Sequence, residues 1–175
     1  MGAEPRLPPD YFEFFDLPRS LAIDAKDLEK RFYALSRKWH PDLFARKSPR
    51  EQESALEASA ILNDGYRTLR DPIARAMYLL KLEGFDIGEQ GSKDVPPELL
   101  EEIFELNMAL EEDKGNGPSA RFSEMRAAVD AELQQKFGAW DQTHDRSTLA
   151  EIRGLLNRRK YISNLIGKTN VPDRL

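Results

Sequence analysis

Lys26-Asp27-Leu28-Glu29-Lys30-Arg31-Phe32-Tyr33-Ala34-Leu35-Ser36-Arg37-Lys38-Trp39-His40-Pro41-Asp42 is the stretch on which the fold turns. Leu28, Phe32, Leu35 and Trp39 recur at steps of four, three and four, so they share one helix face. Lys26, Lys30 and Arg37 fall almost opposite that face. Tyr33 and His40 flank the basic stripe. The segment therefore reads as a helix apolar on one side, with positive charge and an aromatic hydroxyl on the other. Pro41 should stop it, because the residue before a proline is pushed out of the α region. That would leave His40 and Asp42 on a tight turn in solvent.

Downstream, Pro49, Glu51 and Glu53 suit a helix start, proline at the first position and acid near the positive end of the dipole. Ala55, Ser59, Leu62, Tyr66 and Leu69 form its apolar stripe. Asp71-Pro72 breaks the chain again, and a short helix through Ala76, Leu79 and Leu80 should end near Gly84. Upstream, Phe12 to Leu17 is too short for periodicity to place. From Gly84 to Pro97 the chain holds Gly84, Gly88, Gly91 and a proline pair, the composition of a boundary.

Beyond it everything reads as helix. The first runs from Pro97 to Asp113. A turn over 115–118 leads to a second from Ser119 to about Gln142, with Phe122, Met125, Val129, Leu133, Phe137 and Trp140 on one stripe. In the third, Ser147 or Thr148 should act as cap, since Thr148 to Glu151 has capping-box spacing. It runs to Gly167, with Leu149, Ile152, Leu156, Ile162 and Ile166 on a broad apolar face. Three amphipathic helices with short turns imply an antiparallel three-helix bundle.

The run from Tyr11 to about Gly84 resembles a J-domain, the module with which DnaJ-type co-chaperones act on DnaK-type ATPases. The resemblance rests on Tyr11-Phe12 with Phe15-Asp16-Leu17-Pro18, the Leu28/Phe32/Leu35/Trp39 helix, His40-Pro41-Asp42, Asn63 to Leu69, Pro72, Arg75 and Tyr78-Leu79-Leu80. Arg75-Ala76-Met77-Tyr78-Leu79-Leu80 followed by Gly84-Phe85-Asp86 is similar to the HscB family, the J-proteins of iron–sulfur cluster assembly. That likeness extends over nearly the whole chain. It implies an all-α protein: a J-domain over 11–84, an antiparallel helical hairpin with short flanking helices; a linker over 85–96; and a three-helix, client-binding bundle over 97–170.

Composition narrows the chemistry. There is no cysteine, which excludes disulfides, thiolate metal sites and cysteine nucleophiles. It also departs from HscB-like proteins that carry an N-terminal zinc-binding cysteine extension. The net charge is −5, and the acid is concentrated in Glu98, Glu101, Glu102, Glu105, Glu111, Glu112 and Asp113, a poor surface for nucleic acid. No apolar run approaches the roughly 20 residues of a membrane span, and residues 1–10 lack the apolar core of a secretory signal. A cytoplasmic location is the expectation, with neither cofactor nor metal.

His40 and Asp42 could in principle be a base and its orienter. No nucleophile or phosphate-binding glycine loop lies near them in sequence, and His144, the other histidine, sits in a polar turn. By the resemblance, Lys26, Lys30, Tyr33, Arg37 and His40-Pro41-Asp42 instead dock on a DnaK/HscA-type ATPase and promote ATP hydrolysis there. A merely solvated helix face is the plain alternative for the basic stripe.

The acidic helix carries two stripes. Leu99, Ile103, Leu106 and Leu110 suffice to join a bundle, while Leu100, Phe104 and Met108 centre nearly opposite, bordered by Glu101, Glu105 and Glu112. An exposed apolar stripe marks a partner site; packing against the first domain is the alternative. In HscB-like proteins the matching face binds an IscU-like cluster scaffold, and Tyr161 matches an aromatic position of that site. Tyr161 and Leu165 lie off the main stripe of the last helix. The rival functions are a J-protein serving another client, its bundle a dimerisation or general substrate module; a hydrolase using His40 and Asp42; and a structural adaptor.

Overall fold

The computed structural model describes residues 10–85, 97–112 and 117–169, and among them all regular structure is helical. Side-chain caps set where most elements of the first unit begin. Asp10 Oδ1 accepts from the Glu13 N–H at 2.9 Å and opens α1, Tyr11–Phe14. Asp10 is itself buried and paired with Arg19 at 3.0 Å. Asp16, with φ +55°, turns the chain out of α1. Arg31 then donates to the Phe15 and Asp16 carbonyls at 3.1 and 2.8 Å, fastening that turn to α2.

α2 spans Ala25–Lys38, capped by the Asp24 carboxylate. It ends where the proline predicts: Trp39 is the C-cap, and His40, the residue before Pro41, is extended. Pro41 is not merely a breaker. It occupies the first turn of a short helix, α3, Pro41–Phe44, with His40 as N-cap. The missing N–H of proline is no loss at that position.

α4, Pro49–Arg70, starts with a capping box in which Ser48 and Glu51 satisfy each other's backbone N–H. The Ser48 backbone and hydroxyl hold the Glu51 carboxyl below its ordinary range. Asp71 ends α4 and caps α5, Pro72–Leu82, accepting from Ile73 and Ala74 at 2.8 and 3.1 Å. Gly84, at φ +83°, closes the segment in a conformation glycine adopts freely.

The chain divides into two compact units, Met1–Leu79 and Leu80–Leu175. In the first, α4 packs on α1 and α2. Phe12, Phe15, Leu28, Ala55, Ala58, Leu62 and Leu69 are buried there. The α4 stripe is thus centred differently from the expected one: Ala58 and Gly65 are buried, and Ser59 and Tyr66 lie at its margin. Gly65 is required by proximity. A Cβ there would lie 3.0 Å from Phe15 Cε2 and 3.1 Å from the Tyr11 ring. Tyr11 also stacks on Tyr78, whose hydroxyl oxygen accepts from the Tyr11 N–H at 3.0 Å. Burial pushes that hydroxyl above its ordinary pKa.

The second unit holds α6, Pro97–Glu112, α7, Gly117–Thr143, and α8, Arg146–Thr169. α7 and α8 are the most closely packed pair. The pairs Lys136–Glu151 and Asp130–Arg159 (2.6 Å) tie them. Number rises on one helix as it falls on the other, so the two run antiparallel. The hydrogen bond from Lys136 to Glu151 raises the lysine pKa. Phe122, Val129, Leu133, Phe137 and Trp140 of α7 and Leu149, Ile152, Leu156 and Ile162 of α8 are all buried. Arg158 reaches Glu102 of α6 at 3.3 Å.

Three expectations need correction here. α8 begins at Arg146, with Asp145 Oδ1 accepting from the Ser147 N–H at 3.0 Å, so Thr148 is inside the helix and no capping box forms on it. Leu165, expected off the main stripe, is buried, while Ile166, expected on it, is only half-buried. α7 starts at Gly117, within the expected turn. Residues 86–96, most of the expected linker, and 113–116 lie outside the described residues, as do the side chains of Leu106, Leu110 and Glu112.

Candidate functional site

At the α2–α3 junction, local chemistry fixes the geometry. His40 has extended backbone, and its Nδ1 accepts from the Asp42 N–H at 3.3 Å. An accepting Nδ1 places the ring proton of the neutral imidazole on Nε2. The same Nδ1 stands 3.5 Å from Asp42 Oδ2. The side chains of His40 and Asp42 remain 57% and 90% exposed. Neither packs into a core, so the junction spends an imidazole and a carboxylate on solvent.

The surroundings are built, not incidental. The Trp39 and Phe44 rings stack across the junction at 5.9 Å, only 9° from parallel. Lys38 lies over Trp39, its ammonium 5.5 Å from the ring. On the outer side of α2, Lys26, Lys30, Tyr33 and Arg37 are all exposed. The structure therefore brings Lys26, Lys30, Tyr33, Arg37, His40, Pro41 and Asp42 onto one open edge of the first unit. Exposed Leu43 was not singled out from the sequence. A single leucine between Asp42 and Phe44 carries no periodic signal.

The second candidate surface is on α6. Leu99 and Ile103 are buried, whereas Leu100, Phe104 and Met108 are 45%, 66% and 49% exposed. Glu101 and Glu105 beside them are exposed too. Tyr161 on α8 is half-buried. Burying a side chain of the size of Phe, Leu or Met is worth about 1.5–3 kcal/mol. Three such groups left at the surface on one stripe form a contiguous apolar patch rather than scattered exposure.

Among the described residues no three His, Cys, Asp or Glu side chains gather as metal ligands. No described helix is long and apolar enough to cross a membrane. His144 is exposed and lies over Trp140, 4.6 Å between ring centres, far in sequence from His40.

Comparison with known proteins matches the two parts of the chain to two family models. The family model of the DnaJ domain matches residues 10–78. That of the HSCB C-terminal oligomerisation domain matches residues 95–169. A co-chaperone protein HscB homolog of Shewanella loihica is 33% identical over 164 residues, covering 89% of this chain and 92% of that protein. The human iron-sulfur cluster co-chaperone protein HscB is 31% identical over 156 residues, covering 89% of this chain. The chain spans 65% of the length of that human relative. Among solved structures, human HscB superposes with a TM-score of 0.67 at 30% identity, covering 95% of this chain and 82% of that one. HscB from Vibrio cholerae gives 0.62 at 31% identity, covering 91% and 94%.

Proposed function

The chain belongs to the HscB family of J-domain co-chaperones, and from that premise we propose that it stimulates a DnaK/HscA-type ATPase and delivers an IscU-like iron–sulfur scaffold to it. The observation that carries this reading is that the His40–Asp42 junction and the Leu100/Phe104/Met108 stripe are both open. Each has a chemistry suited to a separate partner.

On the first unit, Lys26, Lys30 and Arg37 steer the encounter and fix orientation, because exposed positive charge raises association rates with an acidic partner. Tyr33 adds an amphipathic contact. His40 then offers an Nε2–H donor and Asp42 a carboxylate at the tip. They act by binding one conformation of the ATPase better than the other. On this reading the chain needs no nucleophile, base or phosphate site of its own. It is a regulator, and the reaction belongs to its partner.

On the second unit, Leu100, Phe104 and Met108 form the apolar centre and Glu101, Glu105 and Tyr161 the border. Glu112 extends that border in sequence. The acid-rimmed stripe suits a partner whose apolar patch is edged with basic groups. A bundle used for self-association or for another client is the second reading, and the family description of its C-terminal domain favours keeping it. Against pairing of two α6 helices stands like-charge repulsion between their Glu101 and Glu105 rows. The cytoplasm is the proposed location.

The test is ATP hydrolysis by a purified DnaK-type ATPase, in single turnover, with this protein and with or without scaffold. Stimulation by the protein alone, increased by scaffold, is the expected result. Stimulation that ignores scaffold would favour the other-client reading. No stimulation at all would leave a structural adaptor.

A further inference from the structure

We propose that Gln52 is a positioning residue for the His40-Pro41-Asp42 junction, clamping the connection that sets the direction of α3. This rests on the docking role proposed for that junction. α3 is one turn long, and a helix of that length does not sustain itself in water. Something outside it must hold the orientation in which His40 caps the helix and Asp42 sits in its first turn.

Gln52 lies in the first turn of α4, after the Ser48 cap. Its side-chain Nε2 donates backwards to two carbonyls of the connection, Ala45 at 3.2 Å and Lys47 at 3.1 Å. The Lys47 N–H meanwhile donates to the Phe44 carbonyl at 2.9 Å, carrying the restraint into α3. Two further contacts act on the other side of the junction. Trp39 and Phe44 stack, and Ser59 of α4 lies 3.4 Å from the Trp39 carbonyl. The junction is thus held from α4 at both ends, and Gln52 supplies the only side-chain amide among these holds.

Loss of the amide hydrogens broadens the set of α3 directions without removing any group that faces the ATPase. A partner that requires one direction then sees a smaller competent fraction, and its apparent affinity falls by that fraction. Once bound, the junction acts as before. The signature is a rise in the concentration needed for half-maximal stimulation with an unchanged maximum, which distinguishes positioning from loss of a contacting group.

The experiment titrates a purified DnaK-type ATPase with the full chain, following single-turnover ATP hydrolysis, and records each variant's melting temperature. Gln52→Met keeps length and removes the donors, and should raise the half-maximal concentration about 3- to 10-fold. Gln52→Glu, which sets carboxylate oxygens against two carbonyl oxygens, should raise it more. Gln52→Lys keeps a donor and should stay near wild type. Leu28→Val, buried in the core and remote from these bonds, should lower the melting temperature further than any Gln52 variant yet leave the half-maximal concentration in place. The proposal is overturned if Gln52→Met and Gln52→Glu titrate like wild type, or if Leu28→Val shifts the titration as far as they do. If His40→Gln also stimulates normally, the docking reading itself is wrong and the role of Gln52 goes with it. A silent Gln52 beside an inactive His40→Gln removes only the positioning role.

Discussion

The long hairpins of the two units are held by different means. In the first unit, α4 lies close enough to α1 that a Cβ at Gly65 would press on Phe15 and Tyr11 at 3.0–3.2 Å, and aromatic pairs such as Phe32–Tyr66, 4.3 Å apart, lock α2 on α4. In the second, α7 and α8 meet through a continuous aliphatic and aromatic seam with ion pairs at its edge. Gly138 and Gly154 there have nothing within 4 Å of a Cβ position. The candidate surfaces follow the same contrast. The first unit exposes polar groups at a built junction. The second exposes apolar groups on the helix that its seam consumes least.

The largest effect should come from the junction. His40→Gln and Asp42→Asn should each abolish stimulation of a DnaK-type ATPase. Scaffold affinity should not change, because the stripe on α6 is untouched. The fold should barely notice: losing an N-cap acceptor costs about 1 kcal/mol, and both side chains are mostly in solvent. Circular dichroism and melting temperature check this. Normal stimulation by either variant would break the contrast at its first term.

Next is a pair of neighbours on α6. Ile103 is buried, and Ile103→Ala should cost about 2–5 kcal/mol of stability in denaturant unfolding. Phe104, 66% exposed, should cost less than about 1 kcal/mol when cut to alanine. Phe104→Ala should instead weaken scaffold binding by about 2 kcal/mol or more, roughly thirtyfold, as aromatic anchors at a patch centre do. Isothermal titration with the scaffold reads the second quantity. Equal destabilisation by the two substitutions, with scaffold affinity intact, would make the stripe an internal seam.

A smaller effect concerns charge. Reversing Lys30 and Arg37 to Glu should slow association with the ATPase about tenfold at low salt. The deficit should shrink as ionic strength rises, since exposed charges are screened over about 10 Å at 0.1 M. Stopped-flow association against salt is the measurement. A salt-independent loss would mean damage to α2 rather than lost steering.

Much of this was legible in the sequence because long helices write their period into it. Leu28, Leu62, Phe122, Leu133 and Ile152 stand where the stripes put them, in the core. What escaped was carried by residues with no periodic or hydrophobic signal. Ala58 and Gly65 are buried like Leu62, but small residues look neutral in a pattern, and at Gly65 only the approach of Tyr11 and Phe15 explains the choice. Thr148 lost its expected cap role because Asp145, three residues earlier, captures the Ser147 N–H first. α1 and α3 are too short to have a period at all. At the site, the residue types and the second apolar stripe of α6 were readable, but not that the stripe is exposed, since packing against the first domain fits the same spacing. The bonds from Gln52 were not, since they run to the carbonyls of a connection whose path no spacing encodes.

The smallest expected effect tests the contrast through glycine. Gly65→Ala should destabilise, because the helix propensity gained, about 1 kcal/mol, is outweighed by pressing a methyl against two aromatic rings at 3.0 and 3.1 Å. Gly154→Ala should do the opposite. Its site is exposed and empty, so the propensity gain stands alone and should raise stability by about 0.5–1 kcal/mol, read as a small rise in denaturant midpoint. Gly154 precedes Tyr161 by two helical turns and so shares its face of α8. Scaffold affinity of Gly154→Ala is therefore the sharper measurement. If it is unchanged while stability rises, the glycine is a tolerated gap and the docking patch ends near Tyr161. If affinity falls while stability rises, a partner backbone approaches α8 at Gly154, and the contrast inverts: the second unit would then also use a close approach, made to its client rather than to itself.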